Sequence, residues 1–145
     1  MSDDEIVQKA LDILSKRVFR GDPMSSSEMV KTYLKLNFAL YEHEVFGCLF
    51  LSNSHHVIAF EELFFGTIDG AVVHPREVVK KALSHNANAL IFCHNHPSGV
   101  TEPSPADIKI TDKLKSACST VGIRVLDHIV VTCAECTSMA ERGLI

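Results

Sequence analysis

Apolar residues recur at three- and four-residue spacing through Ile6, Val7, Ala10, Leu11, Leu14 and Val18, with Asp12, Lys16 and Arg17 between them. That period predicts an amphipathic helix, which should end near Gly21-Asp22-Pro23. Ser25-Ser26-Ser27-Glu28 supplies a capping serine with an acid three positions later, and Met29, Val30, Tyr33 and Leu34 give a second helix its apolar face. The pattern then changes. From Glu44 to Leu51 and from His56 to Phe60 the chain is dominated by apolar residues, and Ser52-Asn53-Ser54 lies between, which predicts two strands joined by a tight turn. His74-Pro75-Arg76-Glu77 places proline where a first helical turn tolerates one, and Val78, Val79, Ala82 and Leu83 carry a third helix toward Asn86. Ala89-Leu90-Ile91-Phe92-Cys93 is a short unbroken apolar run of the kind found in a strand buried on both faces. Ser104-Pro105-Ala106-Asp107 repeats the capping pattern, and Ile108, Leu114, Ala117 and Cys118 form the inward face of a fourth helix up to Gly122. Ile123 to Leu126 and Ile129 to Val131 complete the strand material, separated by the polar pair Asp127-His128, where a bend or bulge is expected.

Helices therefore alternate with strands, and the predicted class is α/β. A chain of 145 residues fits one globular domain. We divide it into an N-terminal helical segment, 1–40, packed on a main domain, 41–145. A hydrophobic fraction of 46% with 22% charged residues excludes disordered and collagen-like chains. The net charge of −4 argues against a nucleic-acid coat that works by neutralising phosphates. The longest nearly continuous apolar run, Val45 to Leu51, falls far short of the ~20 residues of a membrane-spanning helix. The acidic start Met1-Ser2-Asp3-Asp4-Glu5 fits no secretory or mitochondrial signal, so the expected compartment is the cytoplasm, and the five cysteines are expected to be reduced.

Most of the eight histidines, His43, His55, His56 and His85 among them, read as surface or turn residues. His94 and His96 stand apart because they lie one residue from each other just past a buried strand, where alternation sends both side chains the same way. Asp107 follows in the first turn of the fourth helix, so a short loop can return its carboxylate to the strand end. Two imidazoles and a carboxylate suit Zn²⁺ with a fourth position left to water, the arrangement a hydrolytic site needs. On these residues alone, loop histidines beside a helix-capping aspartate are the favoured reading, because short motifs often arise without a site.

The whole stretch His94-x-His96-Pro97-x6-Ser104-x2-Asp107 resembles the JAMM motif of the JAB1/MPN metalloprotease-like domains. Val73-His74-Pro75-Arg76-Glu77, His94-Asn95-His96-Pro97-Ser98-Gly99, Val125-Leu126-Asp127-His128 and Ala140-Glu141-Arg142-Gly143-Leu144 resemble the bacterial RadC family, over roughly Glu44 to the C-terminus. The resemblance implies a JAMM/MPN, cytidine-deaminase-like fold of three layers, a mixed sheet flanked by helices. It implies that His94, His96 and Asp107 are zinc ligands and that the Ser104 hydroxyl helps to hold the reacting oxygen. It also implies an upstream glutamate acting as general acid and base, a position that Glu44 matches best, with Glu42, Glu61 and Glu62 as competitors. The implied activity is zinc-dependent hydrolysis of an amide bond in a peptide or other amide-containing substrate. The alternative is a DNA-repair-associated RadC-like binding module without hydrolytic activity. Too few residues precede Glu44 for the helix-hairpin-helix region of the full-length family, so a short form is expected.

Other features carry less. Cys133-Ala134-Glu135-Cys136 stands where the family has a glycine- and acid-containing turn, and this lone pair lacks the further ligands of a structural zinc site. His128 beside Asp127 reads either as a semi-buried pair, the favoured reading, or as a group that supports the site from behind its ligands. His43-Glu44-Val45-Phe46-Gly47 lacks the second histidine of HExxH, and His94-Asn95-His96 lacks the glutamate of a nucleic-acid deaminase.

Overall fold

The computed structural model describes residues 1–18, 27–66 and 73–145. Its elements are α1 (Asp3–Val18), α2 (Ser27–Phe38), β1 (Val45–Leu51), β2 (Val57–Phe65), α3 (Pro75–Ser84), β3 (Ala89–Asn95), α4 (Pro105–Thr120), β4 (Arg124–Val131) and β5 (Cys136–Ser138). The expected end of the first helix at Gly21-Asp22-Pro23 and the Ser25 cap of the second lie outside the described residues.

One sheet runs β2-β1-β3-β4-β5. β3 and β4 are parallel and the other neighbours antiparallel, so the sheet is mixed as expected. β1 and β3 are buried along their whole length, which is why both are near-continuous apolar runs. Strand alternation divides their side chains between two cores. Val45, Leu49, Leu51, Ala89, Ile91 and Cys93 pack with Val30, Tyr33, Leu34 and Phe38 of α2. Phe46, Cys48, Phe50, Leu90 and Phe92 pack with Val78 and Ala82 of α3 and Leu114 and Cys118 of α4. The result is three layers, with the sheet in the middle. Among the described residues, no helix is long and apolar enough to cross a membrane.

Three strands depart from expectation. β2 continues to Phe65, past the predicted end at Phe60. Its glutamates break the apolar pattern, but β2 is an edge strand and both have partners: Glu61 meets Lys81 and His85, and Glu62 accepts from the Tyr41 hydroxyl. β4 is one strand rather than two, because the irregularity is a bulge at Leu126, between the Leu90↔Val125 and Ile91↔Asp127 pairings. β5, three residues long, was too short to read from the sequence. It follows a turn in which Thr132 Oγ1 accepts from the main-chain N–H groups of Ala134 and Glu135 at 3.3 and 3.0 Å.

Candidate metal centre

Because Leu90 and Phe92 face the α3/α4 layer, alternation turns His94 toward the same layer. α4 begins opposite. Ser104 caps it: the Ser104 side chain accepts from Asp107 N at 3.1 Å, and Asp107 Oδ2 accepts from Ser104 N at 2.7 Å. This reciprocal cap holds the Asp107 carboxylate at the helix N-terminus, whose dipole favours negative charge.

His94, His96 and Asp107 converge there, their donor atoms all within 4.8 Å of one another. The two Nε2 atoms are 2.8 Å apart, His94 Nε2 is 3.2 Å from Asp107 Oδ1, and His96 Nε2 is 3.2 Å from Asp107 Oδ2. Tetrahedral zinc with bonds of 2.0–2.1 Å sets its donors about 3.3 Å apart. The two histidine–carboxylate separations fit that figure, while the Nε2–Nε2 separation is shorter. The hydrogen-bonding of the His96 ring also suits ligation. Nδ1 lies 2.7 Å from the carbonyl oxygen of Val100, which can only accept, so Nδ1 carries a proton and Nε2 is the nitrogen turned toward the cluster. This group can hold a metal ion, and among the described residues it is the one such cluster.

Charge and burial are balanced within the cluster. Burial opposes ionisation of Asp107, but its contacts with His94 and His96 and the Ser104 N–H outweigh that and hold the carboxyl well below its usual range. His96 is raised above the ordinary imidazole value, chiefly by Asp107 against the opposing effect of burial, with Val100 and the charge of Glu44 adding to the rise. Glu44 is thus within electrostatic reach of the cluster. It lies half-buried immediately before β1, and its carbonyl accepts from Gly66 N at 2.8 Å. Glu61 and Glu62 have their own partners on β2.

Asn95 and Thr111, which the motif reading did not single out, and His128, which it weighed there and set aside, belong to the surroundings of the site. Asn95, between the two histidines, accepts from Val45 N at 2.7 Å and donates to the His43 carbonyl at 2.9 Å, so it grips the main chain on both sides of Glu44. The expected His128–Asp127 pair involves only the His128 main chain: its N–H donates to Asp127 Oδ1 at 2.7 Å, while the ring is fully buried and faces elsewhere. His128 Nε2 lies 2.7 Å from His94 Nδ1, and His128 Nδ1 lies 2.5 Å from Thr111 Oγ1 on α4. Asp127 instead binds Ser138 Oγ and the Ala140 N–H. Local spacing could have flagged Asn95. Nothing local points to Thr111. Cys133 is exposed and Cys136 half-buried, both as free thiols. A cleft lined by Phe38, Tyr41, Asn95, Pro97, Val131 and Cys133 among others opens on the α2 side, and of the cluster only His96 lines it.

Residues 24–144 match the RadC-like JAB domain family. The chain belongs to that family. The match takes in α2, which shares a core with β1 and β3. Among its relatives, this RadC-like JAB domain is 60% identical over 126 residues to a "UPF0758 protein" of Nitrosococcus oceani, covering 87% of the chain and 56% of the relative. It is 58% identical over 132 residues to one of Thioalkalivibrio sulfidiphilus, covering 91% and 59%. It is 53% identical over 138 residues to a "UPF0758 protein" of Vibrio cholerae, covering 95% and 87%. The chain therefore spans little more than half the length of the first two relatives and most of the third.

Proposed function

We propose that this RadC-like JAB domain is a zinc-dependent hydrolase of amide bonds, of metallopeptidase or isopeptidase type. The observation that carries the reading is a buried carboxylate facing the Nε2 atoms of two histidines at 3.2 Å. His94, His96 and Asp107 would hold the ion, which when bound supplies Lewis acidity toward water and the substrate carbonyl.

The chain's own residues do the rest. Glu44 takes a proton from the attacking water on its carboxylate and delivers it to the leaving nitrogen. Ser104 keeps an oxygen lone pair on the Asp107 N–H as a cap, and its own proton is directed to the oxyanion that develops on the substrate. The zinc, these roles and the reaction are supported by the donor geometry, by the proximity of Glu44's charge to His96 and by membership of a family that is typically hydrolase-like.

Elemental analysis of protein purified without affinity-tag metals tests the reading. About one zinc per chain is expected, and none after His94→Ala with His96→Ala. A screen of peptide and isopeptide amides should then reveal turnover that depends on the metal. Zinc retained by the double variant would overturn the ligand assignment. Tight, structure-selective DNA binding at physiological salt without turnover would favour the binding-module alternative.

A further inference from the structure

The contacts behind His94 form a directed series. Thr111 Oγ1 lies 2.7 Å from the main-chain carbonyl oxygen of Asp107. A carbonyl only accepts, and two oxygens at that distance repel unless a proton lies between them, so the single hydroxyl proton of Thr111 points at Asp107. Oγ1 is then an acceptor toward His128 Nδ1, 2.5 Å away, and the proton of that contact belongs to His128. His128 is fully buried, packed edge-on against Phe46 and Phe92, with no carboxylate on either ring nitrogen. A ring in that setting stays neutral, because a buried charge without a paired counter-charge is costly. Its proton is already placed at Nδ1, so Nε2 is a lone pair. His94 Nδ1, 2.7 Å from that lone pair, must donate to it. His94 Nε2 is then the ring nitrogen that faces Asp107 and His96.

We propose that Thr111 and His128 are positioning residues that fix His94 in the tautomer with its proton on Nδ1, so that Nε2 is ready to bind a metal ion. The series starts at one ligand and ends on the main chain of another, which couples the ring orientation on β3 to the first turns of α4 through β4. The direction of donation, not a charge, carries the effect. If it reversed, His128 would donate from Nε2, and the His94 proton would move to Nε2 and block ligation. The inference rests on the metal reading for its purpose but not for its structure, since it concerns the protein before any ion arrives.

The test is the imidazole tautomer in the metal-free wild-type protein, read by long-range ¹H–¹⁵N correlation NMR, alongside zinc affinity measured by chelator competition. In the wild type, His94 should carry its proton on Nδ1. Thr111→Val removes the hydroxyl and keeps the shape of the side chain. Without its acceptor, His128 loses the preference for a proton on Nδ1, so His94 should shift toward the Nε2–H tautomer and zinc affinity should fall roughly 10- to 100-fold. Thr111→Ser restores the hydroxyl and should restore both readouts, which a purely structural role would not predict. A proton on Nε2 of His94 in the metal-free wild type overturns the proposal whether or not any variant folds. So does an unchanged tautomer and affinity in Thr111→Val. A wild type that shows the expected tautomer, lost in Thr111→Val and regained in Thr111→Ser, yet binds no zinc, supports the positioning series and overturns the metal reading alone.

Discussion

Asn95 accepts a hydrogen bond from the main-chain N–H of Val45 at 2.7 Å, across the first residue of β1. The same side chain donates to the carbonyl of His43, so the peptide units flanking Glu44 are held by a residue that lies between His94 and His96. Asn95→Ala leaves the buried Val45 N–H unpaired, at a cost of about 1–3 kcal/mol in denaturant unfolding. Because no ligand is touched, zinc content should persist while hydrolysis falls. Zinc lost together with activity would show that Asn95 supports the cluster as a whole and not the glutamate.

Glu44→Gln keeps the shape of the side chain and removes its basicity. Zinc content and stability should be nearly unchanged, and turnover should drop by roughly 10²- to 10⁴-fold. Glu61→Gln and Glu62→Gln, measured under identical metal loading, should retain activity. The assignment of the base fails if either of these is the silent enzyme and Glu44→Gln is not.

Ser104 and Asp107 share a cap, but only Asp107 faces the histidines. Ser104→Ala should lower stability by about 0.5–2 kcal/mol while the protein still binds zinc. Asp107→Ala should lose its half of the same cap and the zinc with it. Calorimetric unfolding combined with elemental analysis separates the two outcomes.

Glu61 is held below the ordinary glutamate value of 4.5, chiefly by its contact with His85 at 2.5 Å, with burial opposing and Lys81 assisting. A depressed folded-state value means that its stabilisation is fully present above the unfolded value and disappears as pH falls through the folded one. Glu61→Gln should therefore be less stable than wild type at neutral pH, by about 1 kcal/mol or less for so exposed a pair. The difference should close as pH drops below 4.5 in a series of thermal melts. A gap that widens toward acid would contradict the ion pairing on β2.

What could be read from the chain was what repeats within a few residues. The unbroken apolar runs of β1 and β3 announced strands buried on both faces, the Ser104-Pro105-Ala106-Asp107 cap announced α4, and His94 with His96 announced a shared direction. Hidden features depended on distant partners. Glu61 and Glu62 look like strand breakers until Lys81, His85 and Tyr41 are seen beside them. His128 looked like the neighbour of Asp127, yet its ring meets His94, 34 positions earlier, because the parallel β3–β4 pairing brings the strands side by side. Asn95 grips Val45 from 50 positions away. No periodicity encodes such contacts, since they exist only after the sheet has assembled.

The metal-facing donors His94, His96 and Asp107 lie close together in sequence, whereas Glu44 joins them only through the pairing of β1 with β3. Closing the short loop between the histidines and α4 costs less chain entropy than bringing β1 across. On the proposed function, the residues for the ion and the residue for proton transfer are thus joined by contacts of different range, so a loosened β1–β3 pairing would part Glu44 from the histidines without itself parting the histidines from Asp107.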